Sequence, residues 1–461
     1  MRFSTSELAA WLGAALIGPD VVVDGASIDS RSLRLGELFV PIVAARDGHE
    51  FVGAAVAAGA PAYLTSRGAE GAGVGGVGGG GATAIVVDDT AAALMRLGVL
   101  ARERMAGGVI GITGSVGKTT TKDLLRACLA TAFPTAASER SFNNELGLPL
   151  TLLNAPDDAR WVVLEMGARG PGHIAKLAEV ARPDVGIVTS VALAHIEFFG
   201  DLDGVARAKS ELVAALPEDG VAVLNFDDPR VAGMQSQCRG PVVGFSAAGV
   251  GEADVRAERV SLDEELRPGF RLVSPWGEAD VRLALHGVQQ VSNALAAAAA
   301  ALWCGVGFDE VVAALGSVEA PALRMEVRRA SVPGVDGGDG DDRGGGPVLI
   351  VDCYNANPAS TEAALRALAA LAADRRVALL GLMAELGGAT GDEHRRLSAL
   401  AEELGIEVVG YETDLYGAAR VDGVDAAVAL LRGVGPGDAV LVKGSRVARL
   451  EDVVRAYEGD G

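Results

Sequence analysis

Apolar and polar positions follow one another along this chain in two blocks, and each block predicts a largely parallel β-sheet covered by helices. The apolar runs of the first block are 109–113, 161–166, 185–190 and 221–225. Those of the second block are 348–352, 377–381, 406–410 and 439–443. Short continuous apolar runs are typical of strands buried on both faces, and the helical stretches between them supply the crossovers that parallel strands need.

Further patterns lie before and between these blocks. Ser4 to Leu16 predicts a capped N-terminal helix, and 121–129 predicts a helix after the first apolar run. Residues 84–87 read as a strand, and the alanine run 294–301 predicts a closely packed helix. Two stretches rich in glycine, 68–81 and 333–346, are expected to be mobile surface loops, because they cannot bury enough apolar surface to order themselves.

The length of 461 residues suits about three domains. We therefore predict an α/β protein with an N-terminal domain at 1–105, a central parallel-sheet domain at 106–318 and a Rossmann-like C-terminal domain at 319–461.

Net charge bears on nucleic-acid binding, and signal or membrane segments bear on the compartment. The chain has 61 acidic residues against 40 Lys and Arg, a net charge of -21, so we expect no nucleic-acid partner. The N-terminus has no basic stretch followed by a signal-type apolar core, and no apolar run reaches membrane-spanning length. We therefore expect a cytoplasmic protein without membrane insertion. We also expect a monomer.

Cysteine and lysine usage adds two weaker indications. Four widely spaced cysteines form no C-x-x-C pair, and we expect them to be buried reduced thiols. Only five lysines occur beside thirty-five arginines. Because a lysine amine can do chemistry that a guanidinium cannot, each lysine is weak evidence for a functional role at that position. The lysines are Lys118, Lys122, Lys176, Lys209 and Lys443.

A glycine-rich turn links the apolar run at 109–113 to the helix that follows, and it carries the strongest chemical signal. Gly114 and Gly117 allow positive φ and close approach of the backbone to phosphate. Lys118 supplies a charge for terminal phosphates, and the Thr119 hydroxyl is suited to Mg²⁺. A glycine turn without a ligand is the simpler alternative, but the order strand, turn and helix favours polyphosphate binding.

Polar residues at or after later apolar runs extend this candidate site, since ligands gather at the carboxyl ends of parallel strands. Glu165 ends the run next to the phosphate loop and is the expected Mg²⁺ ligand. His195 and Lys209 follow later runs. Taken singly, an ordinary loop histidine and a solvated helix lysine remain the simpler interpretations of these two.

Together these motifs resemble the Mur ligases, ATP-dependent enzymes that form amide bonds in cell-wall precursors. The segments similar to that family are Thr113–Thr120, Leu164–Gly167, Ala194–Gly200 and Ala208–Glu211. Four other segments resemble the branch of the family that adds D-alanyl-D-alanine, and they are Ser141–Thr151, Asp352–Pro358, Met383–Gly387 and Val442–Arg446. Three N-terminal segments are similar to the family's uridine-nucleotide domain, and they are Asp29–Arg31, Gly36–Val40 and Asp47–His49.

The resemblance implies a role for each matching residue. It assigns ATP to Gly114, Ser115, Gly117, Lys118, Thr119, Thr120, Asn293, Arg324 and Asp352. It assigns two Mg²⁺ ions to Thr119, Glu165, His195 and Lys209, with Lys209 carbamylated, and it makes Lys118, Glu165, His195 and Lys209 the catalytic residues. It assigns the UDP substrate to Ser30 and Arg31. It assigns the peptide or dipeptide site to Asn143, Asn144, Asn355, Asn357 and Lys443.

The implied reaction joins UDP-N-acetylmuramoyl-tripeptide to D-alanyl-D-alanine through an acyl phosphate. The chain departs from the family at Ser190, where asparagine is usual, and at Gln289 and Gln290, which replace a His-Asn pair. Two alternatives remain open. One is another ligase of the family, which adds the third amino acid or glutamate to folate; the other is a nucleotide-switched binding protein without a ligase step.

Overall fold

The computed structural model describes residues 1–67, 81–139, 142–193, 196–319, 322–330 and 346–459. His195 lies outside the described residues, and so do nearly all of the two glycine-rich stretches predicted to be mobile loops. Within the described ranges the strands form four sheets. No helix of these ranges combines the length and the apolar character needed to cross a bilayer.

The N-terminal module, residues 2–104, contains two small sheets. Its strands are β1 Arg2–Ser4, β2 Ala15–Ile17, β3 Val22–Asp24, β4 Ala26–Ser27, β5 Leu38–Phe39, β6 Ala62–Thr65 and β7 Thr83–Val86. Its helices are α1 Thr5–Leu12, α2 Val52–Ala57 and α3 Thr90–Arg104, with a 3-10 turn at Gly48–Phe51. Strand β1 pairs with β3, while the other sheet has the order β2-β7-β6-β5-β4 and is parallel except at β2.

The first helix is shorter than predicted. Ser4 caps it by accepting a hydrogen bond from the Glu7 N–H, as the sequence indicated. The helix ends at Leu12 because Gly13 adopts a left-handed φ of 63° and its N–H closes back onto the last turn. The remaining apolar residues, Ala15 to Ile17, form strand β2, so the prediction of a helix to Leu16 was wrong at its end.

The central module, residues 108–317, is built on the largest sheet. Its strands are β8 Gly108–Thr113, β9 Thr135–Ala137, β10 Trp161–Glu165, β11 Val185–Val188, β12 Val221–Asn225, β13 Val242–Ser246, β14 Val255–Leu262, β15 Pro268–Ser274 and β16 Gly277–Arg282. Its helices are α4 Lys118–Ala130, α5 Gly147–Asn154, α6 His173–Ala181, α7 Ile196–Phe199, α8 Leu202–Ala214, α9 Pro229–Ala232, α10 Gln289–Trp303 and α11 Phe308–Ser317. A 3-10 turn spans Gly233–Gln237.

The order of this sheet is β16-β15-β14-β13-β12-β11-β8-β10-β9. It is parallel from β9 to β14 and antiparallel at β15 and β16. The four predicted strands of the first block are confirmed, and β8 lies between β10 and β11. Helix α10 contains the predicted alanine run, whose residues from Ala294 to Ala301 are fully buried and pack it against α4.

The C-terminal module, residues 326–458, is a third α/β unit. Its strands are β17 Glu326–Arg329, β18 Val348–Asp352, β19 Arg376–Leu380, β20 Glu407–Tyr411, β21 Ala419–Val421 and β22 Ala439–Lys443. Its helices are α12 Pro358–Ala370, α13 Thr390–Glu403, α14 Gly423–Arg432 and α15 Leu450–Glu458, with 3-10 turns at Gly387–Ala389 and Arg446–Ala448. The order is β17-β18-β22-β19-β20-β21, parallel except at β17, which confirms the four strands of the second block.

The modules differ in how they are joined. One apolar cluster runs without interruption from Phe3 and Leu97 in the N-terminal module to Leu148 and Leu164 in the central module. Helix α3 packs directly on α5 and α6. The C-terminal sheet has two other apolar clusters, one on each face, and the central module contributes only Leu266 and the half-buried Leu262 to one of them. The first two modules therefore share a core, while the third packs as a separate layer.

The cysteine prediction holds only in part. All four are free thiols, and Cys128 and Cys353 are buried. Cys238 and Cys304 are only partly buried, so the prediction of buried thiols was wrong for them. The reason is local, because Cys238 ends the surface turn at 233–237 and Cys304 ends helix α10.

Candidate active site

The carboxyl ends of the two large sheets face one cavity of about 670 Å³. Gly114, Glu165 and Asn225 reach it from strands of the central sheet. Asp352 and Lys443 reach it from the C-terminal sheet. A crevice at the carboxyl ends of parallel strands is where open α/β sheets bind ligands.

The turn after β8 requires glycine at two positions. Gly114 has a φ of 144°, and a Cβ there would lie 1.9 Å from Thr189 Oγ1. Gly117 has a φ of 89°, and its Cβ would lie 2.3 Å from Asn293 Oδ1. Both positions combine a conformation that favours glycine with close approach of a neighbouring side chain. The loop thus has the shape that the sequence predicted for phosphate binding.

Helix α4 begins inside this loop. Its N-cap is Gly117, which has no side chain to accept a hydrogen bond from the N–H groups of the first turn. Lys118, Thr119 and Thr120 of the first turn line the cavity. The first N–H groups of a helix have no carbonyl partner within it, and together with the positive end of the helix dipole they suit an anion. Lys118 Nζ donates to the Gly114 carbonyl at 2.6 Å, which folds the amine back across the loop. Burial lowers the pKa of Lys118, and Glu165 opposes that shift.

Two residues after β11 hold the loop from the other side. The Ser190 carbonyl accepts from the Ser115 N–H at 2.9 Å, and the Ser190 hydroxyl accepts from the Val116 N–H at 3.3 Å. Thr189 Oγ1 donates to the Val116 carbonyl at 2.5 Å. Ser190, which departs from the family pattern, therefore supports the loop through both backbone and side chain.

Glu165 is a buried carboxylate at the end of β10. Within the described residues neither of its carboxylate oxygens has a hydrogen-bond donor, although the side chain is only 1% exposed. Its nearest cation is Lys122, whose Nζ lies 3.8 Å from Oε1 and donates to the Ser138 carbonyl at 2.8 Å. Burial raises the pKa of Glu165, while Lys122, Lys118 and the neighbouring Thr119 side chain lower it. Two unsatisfied buried oxygens beside a phosphate loop suit a divalent cation.

Lys209 lies on α8, almost fully buried against the same cavity. Burial, reinforced by the charge of Lys118, lowers the pKa of Lys209 to about 7. An appreciable fraction of this lysine is therefore a neutral amine at neutral pH, which is the nucleophilic form. The solvated position considered from sequence is wrong for Lys209.

Asn293 reaches the phosphate loop from helix α10. Its Nδ2 donates to Gln290 Oε1 at 2.7 Å, and its Oδ1 accepts from Thr121 Oγ1 at 3.4 Å. These bonds set the side chain directly against Gly117. Gln289 also lines the cavity, and its Oε1 is buried without a donor among the described residues.

The C-terminal side of the cavity is organised by a buried ion pair. Lys443 Nζ lies 2.6 Å from Asp352 Oδ2 and also donates to the Asn355 carbonyl at 3.1 Å. Asp352 Oδ1 accepts from the Met325 N–H at 3.2 Å. The sequence assigned Asp352 to ATP and Lys443 to the dipeptide, whereas the register of β18 and β22 makes them direct partners.

An arginine and a tyrosine lie beside this pair. The guanidinium of Arg324 stacks over the ring of Tyr354, with its carbon 3.9 Å from the ring centroid. Both residues line the cavity. This contact fixes Arg324 at the junction between the two modules.

The four asparagines assigned to the peptide or dipeptide site all line the cavity, but they differ in what their side chains do. Asn357 Oδ1 caps helix α12 by accepting from the Ser360 N–H at 2.9 Å, and Asn144 Oδ1 accepts from the Gly147 N–H at 3.0 Å. Asn143 packs against Gly167, and Asn355 is exposed. Asn143 and Asn355 are therefore better placed than the two capping residues to contact a ligand.

The UDP-substrate candidates lie outside this cavity, in the N-terminal module. Arg31 Nη2 pairs with Asp29 Oδ2 at 2.6 Å while 88% of its side chain is exposed. Hydrogen bonds from Arg31 lower the pKa of Asp29 to about 2. Ser30 is partly exposed beside them. The structure thus brings together every candidate of the central and C-terminal modules that it describes, and leaves Ser30 and Arg31 apart.

Sequence reasoning gave no role to several residues that shape the site. Lys122 is buried next to Glu165, and Thr189 and Tyr354 were not singled out as site residues. The scarcity of lysine was a usable signal, because four of the five lysines lie in or beside the site. Among the described residues no group of three or more His, Cys, Asp or Glu side chains is arranged for a metal.

Comparisons with known proteins agree with this geometry. Residues 112–301 match the Mur ligase middle domain, and residues 341–446 match the Mur ligase, glutamate ligase domain. The UDP-N-acetylmuramoyl-tripeptide–D-alanyl-D-alanine ligase of Mycobacterium tuberculosis H37Rv is 41% identical over 94% of this chain and 91% of its own.

Two solved structures extend the match to three dimensions. MurF from Acinetobacter baumannii has a TM-score of 0.84 at 27% identity, covering 100% of this chain and 99% of that one. The MurF ligase of Thermotoga maritima in complex with ADP has a TM-score of 0.78 at 26% identity, covering 95% and 98%. The chain therefore belongs to the Mur ligase family, in the branch that contains the UDP-N-acetylmuramoyl-tripeptide–D-alanyl-D-alanine ligases.

Proposed function

We propose that this protein is an ATP-dependent ligase that joins UDP-N-acetylmuramoyl-tripeptide to D-alanyl-D-alanine, completing the pentapeptide precursor of peptidoglycan. The observation that carries the proposal is the shared cavity. It combines a phosphate loop, a buried carboxylate without donors and a lysine of lowered pKa with groups from a second α/β module. A nucleotide switch needs only the first of these features.

The chemistry explains why these groups belong together. A carboxylate is a poor acyl donor, because its leaving group would be oxide. Transfer of the γ-phosphoryl group of ATP to a terminal carboxylate of the tripeptide gives an acyl phosphate and ADP. Attack by the dipeptide amine then forms the amide and releases phosphate. Lys118 and the amides of α4 hold the phosphoryl charge through both steps.

Mg²⁺ fits the residues present. Glu165 and Thr119 would hold one ion, since both line the cavity and Glu165 has two oxygens without donors in the described chain. A bound Mg²⁺ would neutralise charge on the transferring phosphoryl group. Few protein ligands are required, because Mg²⁺ retains water and phosphate oxygens. His195 is assigned to a second ion only through the family resemblance.

We further propose that Lys209 is carbamylated. Its neutral amine would attack CO₂ and release one proton, turning a cation into a carboxylate-like group that serves the metal. The support is burial together with a pKa of about 7, which makes the neutral amine available.

The three substrates suggest that each of the three predicted domains binds a different one. Residues 1–105 would hold the UDP group through Ser30 and Arg31, and residues 106–318 would hold ATP. Residues 319–461 would bring Arg324 and Asp352 to the nucleotide and Asn355, Asn357 and Lys443 to the dipeptide, with Asn143 and Asn144 facing them. We expect a monomer, and these nucleotide substrates suit a cytoplasmic enzyme.

The test is a co-substrate requirement. The protein is mixed with ATP, Mg²⁺, D-alanyl-D-alanine and a tripeptide nucleotide carrying lysine or diaminopimelate, while phosphate release and product mass are followed. We expect phosphate only when both co-substrates are present, with a product equal to their combined mass less one water. Nucleotide hydrolysis that ignores both co-substrates would instead support the switch, and a product formed only with a free amino acid would indicate a different ligase.

A further inference from the structure

The loop after β19, residues 381–386, forms a wall of the cavity to which the proposed reaction gives no role. Ala384 and Glu385 of this loop line the cavity. Glu385 has a φ of 63°, in the left-handed region that glycine and asparagine adopt more readily than glutamate. Such a conformation persists only where the surroundings determine it. The neighbours of this loop must therefore fix its backbone.

The end of strand β22 holds one side of the loop. The Gly381 N–H donates to the Lys443 carbonyl at 2.8 Å, and the Ser445 N–H donates to the Leu382 carbonyl at 2.9 Å. The Ala384 N–H donates to Ser445 Oγ at 3.0 Å. The loop and the end of β22 therefore form one hydrogen-bonded unit.

The same unit extends to the loop after β18. Ser445 Oγ donates to the Ala356 carbonyl at 3.1 Å. Lys443 Nζ pairs with Asp352 at 2.6 Å and donates to the Asn355 carbonyl at 3.1 Å. Hydrogen bonds thus join the loops that follow three neighbouring strands. A shift of the loop after β19 would therefore reach the Asp352–Lys443 pair.

Two buried aromatic residues hold this loop from outside the cavity. The Met383 N–H donates to His394 Nε2 at 3.0 Å, and Tyr416 Oη donates to the Gly381 carbonyl at 3.0 Å. The two rings meet edge to face, with their centroids 4.8 Å apart. His394 lies on α13, and Tyr416 lies between β20 and β21. Neither is among the described residues that line the cavity, so both can act on a ligand only through the loop.

The hydrogen bonds of His394 define its protonation. Its Nδ1 lies 2.6 Å from the Thr390 carbonyl, which can only accept, so Nδ1 carries the proton. Nε2 then has no proton and accepts from the Met383 N–H. Burial lowers the pKa of His394, which favours this neutral form. Because both ring nitrogens bond to backbone groups, His394 fixes the loop relative to α13.

We propose that His394 and Tyr416 are positioning residues, which hold the loop 381–386 in the shape that the reaction requires. Neither residue contacts a substrate or exchanges a proton with one in this scheme. The inference about the reaction rests on the proposed function, whereas the inference about the loop does not.

The first test is hydrogen–deuterium exchange of the full-length protein, followed by mass spectrometry on peptides that contain Met383. The side chain of His394→Asn can still donate to the Thr390 carbonyl but is too short to accept from the Met383 N–H. Exchange in this loop should therefore become about 10- to 100-fold faster. His394→Gln places an amide oxygen near the position of Nε2 and should restore exchange to within about threefold of the wild type. Tyr416→Phe keeps the ring contact, loses one hydrogen bond to the loop and should accelerate exchange by a smaller factor.

Steady-state kinetics of the same variants tests the effect on the reaction. His394→Asn should lower kcat by about tenfold or more, because a displaced wall disturbs the bound geometry, and His394→Gln should restore most of it. The KM for the tripeptide nucleotide should stay within about threefold, since its UDP group is assigned to the N-terminal module.

Leu431→Ala is the matched control for stability. Leu431 is buried in the same module, but it belongs to the apolar cluster on the face of the sheet opposite to Met383. Its truncation should lower the urea midpoint of unfolding and leave both the exchange of the loop and kcat unchanged.

The outcomes are distinguishable. Exchange at the wild-type rate in His394→Asn would overturn the inference about the loop. Fast exchange with an unchanged kcat would overturn the inference about the reaction, and so would equal losses of kcat in His394→Asn and Leu431→Ala. Should His394→Asn fail to fold, Tyr416→Phe is judged by the same criteria. If the wild type makes no amide product, the proposed function fails, while the exchange measurements still decide whether these residues hold the loop.

Discussion

Substitution of Gly117 by alanine tests how the phosphate loop is built. The residue has a φ of 89°, and a Cβ would lie 2.3 Å from Asn293 Oδ1 and 3.3 Å from Asn293 Cγ. No relaxation of the new methyl group avoids this contact, so either the backbone or the Asn293 side chain must move. Both responses disturb the loop, because Asn293 is held by Gln290 and Thr121.

The expected loss of stability has two parts. A left-handed alanine costs about 1–2 kcal/mol relative to glycine. Displacing Asn293 breaks its 2.7 Å hydrogen bond to Gln290 and its long bond to Thr121, at about 1 kcal/mol for the stronger bond and less for the weaker one. We therefore expect Gly117→Ala to lower the free energy of unfolding by roughly 2–4 kcal/mol, and to weaken ATP binding because the amides of α4 shift.

Urea unfolding and calorimetric titration with ATP measure these effects. Gly172→Ala is the matched control, because Gly172 has a φ of 80° at the start of α6 and a Cβ at this position would meet no atom of the described residues within 4 Å. It should show only the conformational part. In an Asn293→Ala background the cost of Gly117→Ala should fall toward that of the control. The steric argument is refuted if Gly117→Ala costs no more than Gly172→Ala, or if Asn293→Ala leaves its cost unchanged.

Three further predictions concern lysines that line the cavity. Lys118→Ala should abolish ATP-dependent turnover while calorimetry still detects binding of the UDP substrate, and a near-normal rate would overturn the assignment of the phosphate loop. Lys443→Met should destabilise the fold by about 3–5 kcal/mol in urea, because it leaves Asp352 buried without its partner at 2.6 Å, and adding Asp352→Asn should recover part of that loss. In CO₂-free buffer, where Lys209 is a free amine, burial lowers its pKa to about 7 in the native state from roughly 10.4 when unfolded, so the unfolded chain binds more protons between these values and native stability rises with pH there. Lys209→Met should therefore gain most over the wild type below pH 7, and a gain in urea that stays constant from about pH 6 to pH 9 would contradict this.

The strands that the sequence predicted are those buried on both faces. Runs such as 221–225 and 439–443 are apolar up to their last residue, since both faces of their strands are covered by helices. Strands β14 and β16 were not predicted, because their exposed residues interrupt any apolar run. They pair antiparallel with β15 at an edge of the sheet, where one face meets solvent.

Site residues were also predictable where their geometry is local, and not where it depends on segments distant along the chain. Gly114, Gly117 and Lys118 were predictable, because a phosphate loop is contiguous in sequence and its geometry is local. The roles of Ser190 and Lys122 were not, since each acts on a residue that another strand or loop brings to it. Lys443 and Asp352 were assigned to different ligands, because nothing local indicates that residues 91 positions apart pair directly.

The amino-acid sequence alone determined the α/β class, the phosphate loop and the family resemblance, because these depend on local periodicity and contiguous motifs. Only the tertiary structure decided that Lys209 is buried, that Glu165 has no hydrogen-bond donor within the described chain and that Glu385 faces the same cavity as the phosphate loop. Burial and electrostatic environment are set by segments distant along the chain, so they appear only when the sheets are packed against one another.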